Sequence, residues 1–413
     1  MKYLILGAGP AGLTFANKLL LSKENSFLVL EKEASAGGLC RSEIVDNAPF
    51  DIGGGHFLDT RRPHVNNFLF QFMPENEWDL YDRKTTLVVN GNIIGQPIEA
   101  NIWQMTITDQ VEYLKSIAIA GCNLGEPMPS KFIDWIYWKL GNKIAEDYMI
   151  PYNQKMFGKD LDTLGTYWLE KLPNVSFDET LLSCLEKRPY GKDPGHTRFY
   201  YPKKYGYGEL WQRMANVIKE KIIYRATIEG IDTNTKTVWT TDGERYTADY
   251  IISTIPWMEF KTIVGMPEDL FVSIKKLRFS SIQTSYHPEK LETDSHWIYF
   301  PDLSLPYHRI LVRHNFCPNS KGYWTETNTE RIDIPFNPPI QAKTGETSDK
   351  ISYNYINTYA YPLNTEDKKT VMTKLLLWNK ERGLFGLGRW GEWEHYNSDT
   401  TVEKSIRLAE ELM

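Results

Sequence analysis

The sequence has few cysteines and no pattern among them. Cys40, Cys122, Cys184 and Cys317 are scattered and form no CxxC pair. That argues against a disulfide framework and predicts reduced, buried thiols in a cytoplasmic protein. No Cys or His pair falls at ligand spacing, so no metal is expected. No apolar run approaches the ~20 residues that span a bilayer. The apolar start carries no signal-peptide cleavage site, so no membrane partner is expected. A strong charge of one sign is also missing. With 47 Lys and Arg against 53 Asp and Glu, the net charge is −6, which disfavours nucleic acid or an anionic membrane as the main partner. Repeats, low-complexity segments and charge runs are absent. At 413 residues the chain can hold about two or three domains with full cores. Its oligomeric state is not legible.

What the chain does have is concentrated at its start. Tyr3-Leu4-Ile5-Leu6 is a short apolar run, followed by Gly7-Ala8-Gly9-Pro10-Ala11-Gly12 and a helical pattern from Leu13 to Leu21. A second apolar run, Phe27-Leu28-Val29-Leu30, ends at Glu31. Strand, glycine turn, helix, strand and acid is the order of a dinucleotide-binding unit. Gly7 permits the tight turn, Gly9 lets backbone approach a pyrophosphate, and Gly12 lets the helix pack on the strand. Free N–H groups at the helix start attract phosphate. Glu31 can accept from both ribose hydroxyls. The plainer alternative is a glycine turn that only joins strand to helix.

Ala36-Gly37-Gly38-Leu39-Cys40-Arg41-Ser42 comes next, and then Phe50-Asp51-Ile52-Gly53-Gly54-Gly55-His56-Phe57. A nicotinamide enzyme has no need of these further glycine clusters. A flavin enzyme does, because backbone passes the pyrophosphate again and then runs under the isoalloxazine ring. Glu31, Gly37-Gly38-Leu39 with Arg41, and Asp51-Ile52-Gly53-Gly54 resemble the large FAD family of amine oxidases, protoporphyrinogen oxidases and UDP-galactopyranose mutases. The resemblance implies an FAD-binding set of Gly7, Gly9, Pro10, Ala11, Gly12, Glu31, Lys32, Gly38, Leu39, Arg41, Gly54, Gly55, His56, Gly388, Arg389 and Thr400.

Farther along, Thr85–Val89 and Asn92–Gly95 around Asn90-Gly91 predict a β-hairpin. The pattern is helical from about Trp103 to Trp138. Pro151 to Asp160 is too polar for a core helix and reads as a connecting loop or a pocket wall. Leu210 to Glu220 reads as a helix and Ile222 to Ile231 as a strand. Lys236–Thr240, Asp242-Gly243 and Tyr246 resemble a hairpin. Tyr250 to Ile255, a buried strand ending at Pro256, predicts a return to the nucleotide-binding sheet. Residues 274–360 are β-rich, with strands at Trp297–Phe300 and Tyr307–Val312. Asn328 to Asp349 reads as a long loop, and helices follow at 364–380 and from Thr401 to Met413. The expected fold is α/β. It comprises a Rossmann-like FAD-binding domain discontinuous in sequence (1–80, 200–265 and 365–413), a helical insertion (100–199) and a β-sheet substrate domain (81–99 and 266–364).

Three further stretches resemble the eukaryotic-type UDP-galactopyranose mutases more than the amine oxidases. They are Asp51 to His56, Phe199-Tyr200-Tyr201-Pro202 with Gly206-Tyr207-Gly208-Glu209-Leu210-Trp211, and Gly388-Arg389-Trp390-Gly391-Glu392-Trp393. The chain has one more glycine before His56 than the mutase loop. The resemblance implies a nucleotide-sugar partner whose diphosphate is held by Arg309 and Tyr361. Lys171 stands nearest the second diphosphate arginine, and His395 replaces the second diphosphate tyrosine. Lysine would offer a point charge in place of a bidentate fork. It also implies a mechanism: N5 of reduced FAD attacks the anomeric carbon, the diphosphate leaves and returns, and pyranose and furanose interconvert with no net redox change. NADPH or NADH would first reduce the flavin, and His56 would help hold the reduced form.

Plainer readings stand beside these. His56 is either a flavin ligand or a loop histidine, and Arg309 is either a site residue or a solvated strand arginine. If the strand is regular, Tyr359 and Tyr361 share one face, lining a pocket or a core. The rival function is an FAD-dependent oxidase or dehydrogenase of the amine oxidase or protoporphyrinogen oxidase type, with an apolar pocket and no diphosphate donors. A non-catalytic flavoprotein is the third.

Overall fold

The computed structural model describes residues 1–121, 125–169, 175–190, 197–317, 320–339 and 353–413. The first apolar run, Tyr3–Leu6, is the middle strand of a five-stranded sheet ordered 222–224, 27–31, 3–6, 250–253, 384–386. Every pairing in it is parallel, and the strand is wholly buried. A parallel sheet covered on both faces accepts only such continuous apolar runs. Helix Pro10–Leu21 packs against the C-terminal helix Ser398–Leu412 and against Gly208–Val217. The Rossmann-like sheet is thus discontinuous in sequence, assembled from three distant stretches, 3–31, 222–253 and 384–386, and the run ending at Pro256 does return to it.

The second large sheet has seven strands in the order 353–362, 279–287, 323–328, 309–311, 297–299, 85–89, 92–95. Its last two strands are the hairpin, closed by Asn90 and Gly91 at φ 48° and 75°, the positive pair that a two-residue turn with the strand twist requires. A helical region runs through Ile107–Gly121, Phe132–Ile144 and Phe177–Glu186. Among the described residues no helix is long and apolar enough to cross a membrane. Cys40 and Cys317 are buried free thiols and Cys184 is half-buried; Cys122 lies outside the described residues.

Three expectations need correction. Pro151 to Asp160 is mostly helix, Ile150–Phe157, which continues directly from the π-helical turn Ala145–Met149. Its polar residues are buried with partners. Asn153 Nδ2 donates to the Met149 carbonyl at 2.6 Å, and Lys155 Nζ donates to the carbonyls of Phe300 and Asp302 at 2.8 and 2.6 Å. Composition alone therefore misjudged this helix. The run from Ile222 to Ile231 is two strands in two sheets, broken where Arg225 adopts φ 60°. Tyr359 and Tyr361 do not sit on a regular strand. The register slips so that Asn357 faces Ile282 while Tyr361 faces Ser280. Of the long loop, 328–339 holds only the short turn Thr329–Arg331 as regular structure, and 340–349 lies outside the described residues.

Asp51 joins two of the glycine motifs. It is fully buried. Its Oδ1 accepts the Tyr207 amide at 3.1 Å and the Ser42 hydroxyl, and its Oδ2 accepts the Tyr201 hydroxyl at 2.9 Å. The Gly208 amide in turn donates to Ser42 Oγ at 2.7 Å. Burial pushes the Asp51 carboxyl up to about 6 even against these bonds. The loop before His56 and the glycine turn before helix Gly208–Val217 are therefore one hydrogen-bonded unit.

Candidate active site

Two cavities meet inside the molecule. The longer, about 280 Å³, is lined by Gly7, Gly9, Pro10, Ala11, Glu31, Lys32, Gly38, Leu39 and Arg41, and extends to His56, Arg389, Ser398 and Thr401. Its first half is made of backbone. Helix Pro10–Leu21 has proline in its first turn and no side-chain cap, so its leading amides remain open to an anion. A side chain on Gly38, at φ 54°, would press on Gly9 Cα at 3.2 Å. Glu31 is 6% exposed, and its two oxygens accept the amides of Ala8 at 2.7 Å and Glu33 at 2.9 Å. Burial raises its pKa. Each oxygen keeps a further lone pair for a hydroxyl. Arg41 sits at the rim, with Nε on the Gly38 carbonyl at 3.1 Å and Nη2 on Tyr355 Oη at 2.8 Å.

The second cavity, about 180 Å³, shares His56, Arg389 and Ser398 with the first. Arg309, Tyr361, His395, Glu326, Arg83, Trp297, Asp59 and Asp399 also line it. Arg309 and Glu326 are direct cross-strand partners. Glu326 is 1% exposed and accepts Arg309 Nε at 3.1 Å and also Arg309 Nη2. Burial alone would raise its pKa, but the Arg309 charge, with His308 close by, outweighs burial and holds it at about 2. Arg309 Nη2 also donates to Tyr361 Oη at 3.2 Å. Nη1 of Arg309 bonds to no described residue and remains available to the cavity. His395 and Tyr361 stand with ring centroids 4.9 Å apart.

At the junction, Arg389 donates to the Tyr396 carbonyl at 3.1 and 2.8 Å and to the Ala360 carbonyl at 2.9 Å. No described carboxylate pairs with it, so it brings a positive charge there, beside the start of helix Ser398–Leu412, whose dipole adds to it. His56 Nδ1 lies 3.1 Å from the Gly54 carbonyl. A carbonyl only accepts, so Nδ1 carries the proton and Nε2 is the acceptor. Burial, and then Arg389, lower the His56 pKa to about 4, so the ring is neutral near pH 7. It stacks on Tyr207, 12° from parallel.

The structure brings together His56, Arg309, Tyr361 and His395. Lys171 lies outside the described residues. Of the expected cofactor residues, Gly12, Gly54, Gly388 and Thr400 line neither cavity. Gly12 meets the Gly7 carbonyl, Gly388 meets Ala11 Cβ, and a Cβ on Gly54 would strike Glu326 Oε1 at 2.6 Å. These three serve packing. Thr400 is one residue off, since helix Ser398–Leu412 turns Ser398 and Thr401 to the cavities. Tyr361 lines the second cavity while Tyr359 lines the first, its ring against Phe279 and Trp390. Sequence reasoning missed Glu326 and Arg83. No local sequence signal marked Glu326, which the structure buries in the strand Tyr323–Asn328. Arg83 donates to Thr85 Oγ1 at 2.9 Å and Tyr299 Oη at 3.0 Å, and stacks over Trp297 at 4.7 Å.

Comparisons with known proteins agree with this architecture. A family model described as NAD(P)-binding Rossmann-like domain matches residues 5–72. Another, described as flavin containing amine oxidoreductase, matches residues 135–285. A solved structure of reduced UDP-galactopyranose mutase superposes with TM-score 0.88 at 22% identity, covering 100% of this chain and 93% of that one. A putrescine oxidase superposes with TM-score 0.67 at 13% identity, and cyclohexylamine oxidase from Brevibacterium oxydans with TM-score 0.67 at 14%, each covering 100% of this chain and 98% of the other. A curated relative from Methanothermococcus thermolithotrophicus, an uncharacterized protein in the nifH2 3′ region, is 50% identical over 54 residues. That match spans 13% of this chain and half the length of the relative. The fold is that of the flavoprotein mutases and amine oxidases.

Proposed function

We propose, from a chain with the fold of the amine oxidase-like flavoproteins, that this protein binds FAD in the longer cavity and is a nucleotide-sugar mutase. It would interconvert pyranose and furanose forms of a UDP-sugar, UDP-galactose or a relative, in the second cavity. The observation that carries this reading is the convergence of Arg309 Nη1, Tyr361 and His395 beside a junction made positive by Arg389. An oxidase of apolar amines has no use for such donors.

The residues fit FAD. The Gly9–Gly38 approach and the uncapped helix start accept a pyrophosphate, and Glu31 accepts a ribose. When bound and reduced, with NADPH or NADH as the reductant, the flavin would supply a nucleophilic nitrogen. This chain's residues do the rest. Arg309 and Tyr361 bind the diphosphate, stabilise the charge it gains on leaving, and hold it close for return. Arg389 and the start of helix Ser398–Leu412 would offset negative charge on a reduced ring bound beside them. Neutral His56 offers Nε2 as an acceptor for a ring N–H.

The test is anaerobic. The yellow protein, reduced with dithionite, is incubated with UDP-galactopyranose, UDP-galactofuranose and other nucleotide sugars, and the products are separated by HPLC. Interconversion only with reduced flavin is expected. Absence of turnover together with flavin reduction by an amine would move the protein to the second reading, an oxidase. The amine oxidoreductase match over 135–285 supports that reading.

A further inference from the structure

Glu326 is bonded on both sides, on one to Arg309 and on the other to the loop that carries His56, a residue that lines both cavities. Its Oε1 accepts the Gly55 amide at 3.2 Å, in the loop that carries His56. Its Oε2 accepts Arg309, which reaches Tyr361 in turn. His308 Nε2 lies 3.5 Å from the same Oε2, buried and neutral. The loop is shaped around this carboxylate, since a Cβ on Gly54 would meet Glu326 Oε1 at 2.6 Å. Both oxygens of Glu326 face donors. A carboxylate satisfies them together, while a glutamine amide satisfies one side and sets an N–H against an N–H on the other.

An anion arriving at Arg309 competes with Glu326. The Nε and Nη2 edge of Arg309 is already committed, and only Nη1 is free. Any shift of Arg309 toward a diphosphate loosens Oε2, and the carboxylate then moves against Gly54 and Gly55. A displacement of the His56 loop acts in reverse.

We propose that Glu326 is a positioning residue that couples nucleotide binding at Arg309 to the placement of His56 against the cofactor, so that each cavity responds to occupancy of the other. This rests on the FAD and nucleotide-sugar reading above. Linkage makes the effect reciprocal: if UDP alters the flavin environment, the flavin state alters UDP affinity.

The test uses the FAD-loaded protein and UDP as probe. UDP affinity is measured by calorimetry, and the flavin is followed by its difference spectrum and midpoint potential at saturating UDP. In the wild type UDP should perturb the spectrum and shift the potential. In Glu326→Gln, UDP should bind more tightly, by roughly tenfold, because Arg309 is no longer neutralised. The perturbation at saturation should fall to less than half. A perturbation of full amplitude in saturated Glu326→Gln would come from UDP itself and would overturn the coupling. So would wild-type protein that binds UDP with spectrum and potential unchanged, a result needing no variant. Tyr361→Phe is the contrast: it should weaken UDP binding yet keep the full perturbation at saturation. Protein that holds FAD but binds no UDP removes the nucleotide-sugar reading and this inference together.

Discussion

The two cavities are built from different material. The longer cavity has at its core a backbone cradle, the glycines and uncapped helix start with Glu31 from the first forty-odd residues, with walls added from 226–228, 254–259, 355–359 and 389–401. The second cavity is side chains from far-apart strands and connections, with Arg83, Arg309, Glu326, Tyr361 and His395 meeting across about three hundred residues of chain. A backbone site is written locally, because each residue's geometry depends on its neighbours. A side-chain site is written in strand register, which no local window contains. The first therefore tolerates changes of charge and not of shape. The second tolerates neither, because its charges are buried and mutually compensating.

The sharpest way to break that symmetry is Arg309→Ala. It leaves Glu326 as an uncompensated buried charge, and removal of one partner of such a pair costs about 3–5 kcal/mol. Thermal unfolding should show the loss, and Arg309→Ala with Glu326→Gln should recover much of it. Nucleotide-sugar binding should be abolished in both, while FAD, counted by absorbance per chain, stays bound. FAD loss on a par with UDP loss would show that the cavities are not separable.

Acid comes next. His308 is fully buried, and burial lowers its pKa to about 4. A base whose folded pKa lies below its unfolded value, about 6.5, gives stability that is present above pH 6.5 and lost as pH falls toward 4. For such a buried histidine the loss is on the order of 3 kcal/mol. Glu326, held at about 2, gives stability that is present above about 4.5 and lost as pH falls toward 2. Asp51, raised to about 6, acts oppositely between 4 and 6 and blunts the fall without reversing it. Unfolding midpoints across a pH series should therefore drop on the acid side, with UDP binding lost before FAD. A flat profile from pH 6.5 to 4 would refute the neutral buried histidines.

Gly38→Ala probes the backbone cavity. A non-glycine residue at φ 54° costs about 1–2 kcal/mol, so FAD should dissociate roughly tenfold more readily, while UDP affinity of the reloaded protein is unchanged. Smallest is the contrast between Thr400→Ala and Thr401→Ala. FAD affinity should move only in the second, and a response confined to the first would restore Thr400 to the cofactor residues.

Sequence reading succeeded where the signal was local. The strand Tyr3–Leu6, the glycine turn, the hairpin at Asn90-Gly91 and the return strand Tyr250–Ser253 were legible, because turn chemistry and apolar runs are properties of short windows. Arg309 and Tyr361 were reached through resemblance, and nothing local fixed where their side chains would point. Glu326 was invisible because its partners are Gly55 and Arg309, one remote and one across a strand. The helix at Ile150–Phe157 was misjudged because polarity was taken for exposure, whereas Lys155 is buried on two carbonyls. The register slip in Tyr353–Pro362 separated two tyrosines that a regular strand would have kept together.

The central sheet takes its strands from both ends of the chain, and Tyr3 Oη donates to the Leu412 carbonyl at 2.7 Å. On the ribosome the glycine turn emerges long before the packing partner of its helix, Ser398–Leu412. Such long sequence separation slows folding and leaves strand edges open meanwhile. The nascent chain thus carries the glycine turn through a long stretch of synthesis before helix Ser398–Leu412 can pack on it, so the cavity they share closes only after that helix is made.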